Sequence, residues 1–560
     1  MPPESVVECP RQRPPMVAFE DTLVGAAIVV AALSLAFVWC KATSIPWRPG
    51  VLAMAIGLAV LGVRAWLTHE ARGRKAVLYT LLGLALLTLI RWIPLADAIA
   101  PPGGDMSMHT LLSRIAVDHD VLPATQTPYY RGVPYGSYPI GFHGLVATLA
   151  TLGLSLVTAS LLVSAYAHAL FAAAVAVQVR QWTTWPIAAC TALVATFAVR
   201  DPQAYIGWGG NPCVLGFALL LFAVVATRRA FDHPRPSNLM VAAILVAGTL
   251  AIHATAGAVL ALVLTFLALA HLGVHRSARA LATVTVVAVL ALVIAVPVVD
   301  DLVGTEFSAE ELQWLREHHL RPPQSPALTA ALLPDYWKYL GGDVALILGM
   351  LGFLARLRGE WRALIVASSM LVVLPYAVIA FRHSGLPGAE VAYPERVLLI
   401  LVVPWSYLVS GLIETLVRRW TIRDRQTLVR SVLVVSGVAI VAASVVNASK
   451  YYVRPARDQS LDMLDVQAFD ALAAVVGPET RVLNRGGDPA AFLPGLWGVT
   501  VTHPQWNPIC RDELNAWRAA APAEFVVWRG ARPEDLAATR PWRTFVSAGD
   551  TVWVARRIMN

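Results

Sequence analysis

Residues 101–120 read PPGGDMSMHTLLSRIAVDHD, and three aspartates and two histidines fall within the last 16 of them. The stretch is out of keeping with its chain. Of 560 residues only 14% are charged and 57% are hydrophobic, where a soluble protein carries about 25% charged residues. Long apolar segments stand on both sides of it. The chain therefore reads as an α-helical polytopic membrane protein, and the stretch as a polar island between its spans.

The side of the membrane on which the island lies follows from arginine and lysine. Apolar segments at 22–40, 51–68 and 76–95 precede it. The second and third are joined by THEARGRK, with Arg72, Arg74 and Lys75, and basic loops stay in the cytoplasm. The third span then delivers residues 96–142 to the outer face. Ten further spans are expected near 158–180, 186–200, 212–227, 238–253, 255–273, 278–298, 343–358, 361–381, 396–416 and 430–448, thirteen in all. The inner loops on this path, RQWTTW, TRRAFDHPRPSN, HRSAR, RLRGEWR and VRRWTIRDRQTLVR, all carry arginine. Residues 140–156 must not cross, because a crossing there would invert every later loop; they read as an interfacial helix.

Three regions result. Residues 1–21 are expected to be a cytoplasmic tail before an uncleaved first helix, residues 22–449 the membrane domain, and residues 450–560 a small extracytoplasmic α/β domain. The last region holds short β-rich segments (RVLNR, GVTVTHP, EFVVWRG, TVWVARR) and a helical pattern, DMLDVQAFDALAAVV. The second large outer loop spans 299–342. The net charge of +8 gathers in the inner loops and gives no reason to expect nucleic acid. Cys9, Cys40, Cys190, Cys213 and Cys510 form no CxxC pair and no metal spacing. The composition fits a bacterial plasma membrane.

Ionisable residues collect at the outer ends of the spans: Arg91, Asp105, His109, Arg200 with Asp201, His253, Arg382 with His383, and Glu395 with Arg396. Charge at membrane depth is expensive and usually faces a cavity or a partner, so these residues outline a polar site just beneath the outer surface. Each also has a plainer reading. Arg91 and Arg382 could snorkel to headgroups, Arg200 and Asp201 could satisfy each other, and His253 could be a packed histidine. Asp118 and Asp120 read as a solvated turn and are only weak metal candidates. Asp105 follows Gly-Gly at a helix start, where an N-cap role is the alternative. Met108, Leu111, Leu112 and Ile115 form an apolar stripe at helical spacing, and Asp105 and His109 share one face.

Asp105 in the first outer loop, the amphipathic helix after it, and then SYPIGFHGLVATLATLGLSLV make the chain resemble polytopic glycosyltransferases of the GT-C fold. These include oligosaccharyltransferase catalytic subunits, protein mannosyltransferases and aminoarabinose transferases. Gly104, Asp105, His109, Tyr138, Pro139, Gly141 and His143 occupy the places of the shared motif. The resemblance implies an inverting transferase that takes a sugar from a polyprenyl-phosphate-linked donor in the membrane and passes it to an extracytoplasmic glycan, lipid or protein acceptor. It implies Asp105 as general base, His109, Asp201 and His253 as residues positioning acceptor or sugar, and Arg396, then Arg91 and Arg382, as partners of the lipid phosphate. No Asp-X-Asp stands in the second outer loop and there is no WWD-type motif. Metal-independent chemistry is therefore expected, with a divalent cation, Mg or Mn, as the open alternative. A flippase for a lipid-linked precursor, a polysaccharide polymerase or ligase, and a non-catalytic scaffold are the competing readings.

Overall fold

A computed structural model describes residues 14–68, 71–129, 134–198, 200–275, 278–303, 342–357, 361–382, 394–419, 446, 461–477, 480, 482–484, 489–501, 525–529, 542–548 and 552–557. The helices are α1 (Pro14–Ala42), α2 (Trp47–Thr68), α3 (Ala71–Trp92), α4 (Asp105–Asp118), α5 (Gly141–Thr151), α6 (Leu156–Arg180), α7 (Trp185–Leu193) with a π-helical continuation Val194–Ala198, α8 (Ala204–Trp208), α9 (Asn211–Asp232), α10 (Pro236–Ile252), α11 (Ala254–His275), α12 (Arg279–Ile294) and α13 (Val296–Val303). Further along the chain come α14 (Gly342–Arg356), α15 (Trp361–Arg382), the short α16 (Pro394–Val397), α17 (Val402–Arg419) and α18 (Met463–Ala473). Four strands follow or flank the last helix: β1 (Val482–Leu483), β2 (Phe525–Arg529), β3 (Trp542–Ala548) and β4 (Val552–Arg557).

Long apolar helices are the form in which a chain can satisfy its backbone polar groups inside hydrocarbon. Among the described residues eight helices are long and apolar enough to cross a membrane. A ninth is counted if Arg279–Ile294 and Val296–Leu302, which meet at 73°, form one broken span. Trp185–Phe197, Pro236–Ile252 and Ala345–Arg356 are apolar but shorter. Each expected span up to 396–416 thus coincides with a helix, while 430–448 lies outside the described residues. Residues 141–151 form a helix of 11 residues, too short to span.

Burial sorts the helices. The apolar windows of α6 and α9 are each 89% buried, and that of α2 only 11%. α6 and α9 are therefore the centre of the bundle. α2 presents Leu52, Ile56, Val60 and Leu67 outward, as a lipid-facing helix does. α4 packs on the bundle: one flank buries Leu111, Leu112 and Ile115 against Phe37, Trp47 and Tyr135. Its C-terminal end is held by Trp47, whose indole N–H donates to the carbonyls of Ala116 and His119 at 3.0 and 2.9 Å. The orphan carbonyls of the last turn are satisfied that way.

The region after residue 460 carries a sheet of order β1-β2-β4-β3, with β1 parallel to β2 and the other pairs antiparallel. α18 starts on a capping box, in which Asp462 accepts from the backbone of Asp465 while Asp465 accepts from that of Asp462. Three of the four β-rich segments contain strands, and the fourth contributes Val501, which bridges to Val482. β3, in PWRTFVSA, is an addition to that expectation.

Candidate active site

Two glycines decide where Asp105 stands. Gly103 and Gly209 have φ of +103° and +96°, the left-handed region that favours glycine. They lie against each other. A Cβ on Gly103 would collide with the backbone of Trp208 and Gly209, and one on Gly209 would come within 2.8 Å of Met106 N and 3.1 Å of Asp105 Cβ. The turn before α4 therefore packs backbone to backbone on the turn between α8 and α9, which puts Trp208 beside Asp105. Asp105 is the first residue of α4; Gly104 occupies the cap position.

The third wall comes from the far end of the chain. Arg396 in α16 places its guanidinium carbon 5.6 Å from the centre of the Trp208 ring, and its Nη2 donates to Asp105 Oδ2 at 3.2 Å. Both side chains are partly exposed, 25% for Arg396 and 47% for Asp105. The pair lines an open surface, and such a pair contributes little to stability. A carboxylate and a guanidinium side by side, both reachable, are a proton acceptor next to an anion site.

Behind Asp105 lies a buried aromatic and imidazole cluster. His109, one turn along α4, meets His143 of α5 with Nδ1 and Nε2 3.0 Å apart. Tyr138 packs on both, with ring centres 5.3 Å from His109 and 5.8 Å from His143, and reaches His253 at 6.1 Å. Burial holds the His109 imidazole neutral, lowering it to about 3, and the charge of Arg396 adds to this. The same burial pushes the Tyr138 hydroxyl far up. His253 caps a helix: its Nδ1 accepts from the Ala256 N–H at 3.3 Å, at the start of α11.

The other expected residues divide. Arg91 is fully buried, donating to Gln203 Oε1 at 3.0 Å and to the Thr196 carbonyl, with its guanidinium 4.0 Å from the Phe197 ring centre. It does not snorkel; it ties α3 to the Thr196–Gln203 turn. Asp201 is buried in that turn, in the connection that leads to Trp208. Asp118 and Asp120 pair with Arg114 and Arg48 respectively. Arg382 ends α15, and its side chain, with His383 and the side chain of Glu395, lies outside the described residues, as does most of loop 299–342. Among the described residues no group of three His, Cys, Asp or Glu side chains could hold a metal ion.

One part of the site was not expected. The C-terminal region packs on α4 itself. Ala100 and Met106 belong to the same buried cluster as Phe469, Leu472, Phe492 and Leu493. Gly495 lies over the helix, where a Cβ would be 2.8 Å from Leu111 N and from Thr110 Oγ1. Trp497 is part of that packing. Its indole donates to Asp470 Oδ1 at 2.8 Å and its ring meets Phe469 edge-on. Trp506 and the side chain of Trp528 lie outside the described residues.

Comparison with known proteins agrees with this architecture. A family model described as "Family of unknown function (DUF6541)" matches residues 20–516. No curated protein matches the chain in sequence. Among solved structures, ArnT from Cupriavidus metallidurans in the apo state is similar, with a TM-score of 0.51 and 15% identity over 86% of this chain and 98% of that one. The Archaeoglobus fulgidus oligosaccharyltransferase in its apo form gives 0.49 and 12%, over 80% and 69%. The chain has the GT-C fold of a multi-pass membrane protein.

Proposed function

The chain belongs to the DUF6541 family, and for it we propose a membrane glycosyltransferase that moves a sugar from a polyprenyl-phosphate-linked donor to an extracytoplasmic acceptor. The observation that carries this reading is the meeting of Asp105 and Arg396 at the head of α4, at 3.2 Å. Glycosyl transfer needs two things at one place. An acceptor hydroxyl is a poor nucleophile until a carboxylate takes its proton. The leaving lipid phosphate gains negative charge as the C1–O bond breaks and needs a cation beside it. Asp105 is suited to the first task and Arg396 to the second.

The acceptor oxygen attacks C1 of the sugar while its proton passes to Asp105. The C1–O bond to phosphate breaks, its electron pair leaves with the phosphate, and the charge falls against Arg396. One displacement inverts the anomeric configuration. Trp208 offers its ring to Arg396 and an apolar wall to the sugar or lipid. Arg91 and Asp201, both buried, act by shaping the turn that carries Trp208 rather than by touching the phosphate. His253 keeps the start of α11 in place. In this reading the site opens on the outer face of a bacterial plasma membrane, with the N-terminus inside and the region after residue 450 outside.

The test is transfer from a panel of undecaprenyl-phosphoryl hexoses and pentoses by the purified full chain in lipid nanodiscs, wild type against Asp105→Asn. Turnover by the wild type that the variant loses, with donor binding retained, supports the reading. Binding and movement of these lipids across the bilayer without any transfer would replace it with a flippase.

A further inference from the structure

Lys41 and Asp301 meet although 260 positions separate them: the ammonium of Lys41, in the last turn of α1, donates to Asp301 Oδ1 near the end of α13. Their side chains are 13% and 19% exposed, far less than those of the Arg48–Asp120 pair at 40% and 70%. Withdrawing an ammonium and a carboxylate from water carries a cost that exposed pairs avoid. α12 ends at Ile294, whose carbonyl accepts from the Trp39 indole at 2.8 Å, and α13 turns away from it at 73°. The bend brings Asp301 to the end of α1.

The pair rests on a turn that leads into the site. Gly136 has φ of +127°, and a Cβ there would stand 2.8 Å from Lys41 Nζ and nearer still to the Asp301 carboxylate. Ion pair and backbone therefore lie against each other. The turn is also tied to α4. The Ser137 N–H closes it on the Pro134 carbonyl at 3.2 Å, and the Tyr135 hydroxyl donates to the Leu112 carbonyl at 3.0 Å. Val298 of α13, Tyr135 and Leu112 share one buried cluster. Two residues beyond Gly136 stands Tyr138, whose ring packs on His109, His143 and His253. A turn held at both Tyr135 and Gly136 leaves Tyr138 little freedom to shift against His109, one turn along α4 from Asp105. A strut between α1 and α13 alone needs no glycine at 136; contact with the turn does.

We propose that Lys41 and Asp301 are positioning residues for the site: their ion pair fixes the Gly136 turn and thereby seats Tyr138 against His109, behind Asp105. They act through Tyr138 rather than on the substrate. Groups held to a fraction of an ångström are what a transfer reaction requires of the shell behind its base. The effect on turnover rests on the glycosyl-transfer reading; the seating of Tyr138 does not.

The experiment compares Lys41→Met, Asp301→Asn and the double variant with the wild type, as full chains in lipid nanodiscs carrying 3-fluorotyrosine. Tyr138 is assigned among the 14 tyrosines by difference with Tyr138→Phe. Each single variant strands a charge and can fail to fold; the double variant removes both charges, so its melting temperature is expected near that of the wild type. Its Tyr138 ¹⁹F resonance is expected to shift or broaden. Gly136→Ala, which drives a methyl group into the pair, is expected to move the same resonance. Asp118→Asn, which breaks the more exposed pair with Arg114, leaves it in place. In kinetics the double variant and Gly136→Ala lower kcat about 10- to 100-fold, the loss that follows a misplacement of about 1 Å, while affinity for undecaprenyl phosphate stays near that of the wild type. A Tyr138 resonance indifferent to the double variant and to Gly136→Ala overturns the proposal, and so does a shifted resonance with kcat unchanged. If the wild type turns over none of the lipid sugars, the transferase reading fails, and the resonance alone decides whether the pair seats Tyr138.

Discussion

Arg396 Nη2 stands 3.2 Å from Asp105 Oδ2, a contact between residues 291 positions apart in the chain. It joins the start of α4 to the short helix α16. A guanidinium keeps its positive charge and offers planar donors, the chemistry an anionic phosphate calls for. Arg396→Leu is expected to lower kcat/KM about 10²- to 10³-fold, the usual loss when one donor to a developing anion is removed. Arg396→Lys is expected to retain part of it, since lysine keeps the charge and loses the fork. With both side chains so exposed, the melting temperature of either variant should stay near that of the wild type. A large loss of stability with unchanged turnover would make the pair a structural strut.

The crossing of Gly103 and Gly209 makes a sharper claim about geometry. A Cβ on Gly209 would lie 2.8 Å from Met106 N, backbone that cannot step aside, and φ there is +96°. Gly209→Ala should cost about 1–3 kcal/mol of stability from the backbone conformation alone and should move Asp105 away from Arg396. Turnover is then expected to fall more than the loss of folded protein explains. Gly57→Ala is the control. Gly57 lies in α2 with nothing within 4 Å of a new Cβ, and alanine is the better helix former. Thermal melts and specific activity of the two variants settle the comparison.

Acid should destabilise the packing around His109. An unfolded imidazole titrates near 6.5, whereas folded His109 is lowered to about 3, first by burial and then by Arg396. Between those values the unfolded chain holds a proton that the folded chain refuses. Stability contributed this way is complete above about pH 6.5 and is lost as pH falls through the window, by about 1.4 kcal/mol per unit for one such group. Melting temperatures measured between pH 7.5 and 4.5 should therefore drop on the acid side. The slope should be shallower in His109→Gln, which has no proton to take up. Equal slopes in both proteins would mean that His109 is not held neutral.

The apolar helices were legible because they depend on local quantities. Apolar length locates a helix without reference to any neighbour, and a described helix stands at each expected segment from 22–40 to 396–416. Asp105 and Arg396 were legible as charged groups beside apolar segments. Their meeting was not, because no local pattern connects positions 105 and 396. The place of Trp208 was not legible, since it comes from Gly103 and Gly209, which press two turns together. Arg91 showed its cost but not its purpose; the Gln203 oxygen and the Thr196 carbonyl that receive it lie more than 100 residues away. The packing of the C-terminal region on α4 had no signal beyond a glycine among apolar residues in FLPGLWG.

That packing gives the last prediction. Gly495 lies so close to α4 that a Cβ would stand 2.8 Å from both Leu111 N and Thr110 Oγ1. Leu111 is interior to the helix that Asp105 begins, so pressure at Gly495 is transmitted along a rigid element to the carboxylate. The same region shares a buried cluster with Met106, the residue next to Asp105. Gly495→Val should therefore displace α4 while leaving the sheet of the C-terminal region intact, because β2, β3 and β4 pair with one another and not with residue 495. The expected outcome is a fall in kcat, with binding of undecaprenyl phosphate, which needs Arg396 rather than the carboxylate, close to wild type. Gly498→Ala is the companion variant. A Cβ there comes no nearer than 3.5 Å to Arg114 and Tyr129, so its cost should be confined to the left-handed backbone at φ +70°, seen in stability and not in kcat. If Gly495→Val left kcat unchanged, the C-terminal region would be a passenger on α4 and not one of the supports that aim Asp105.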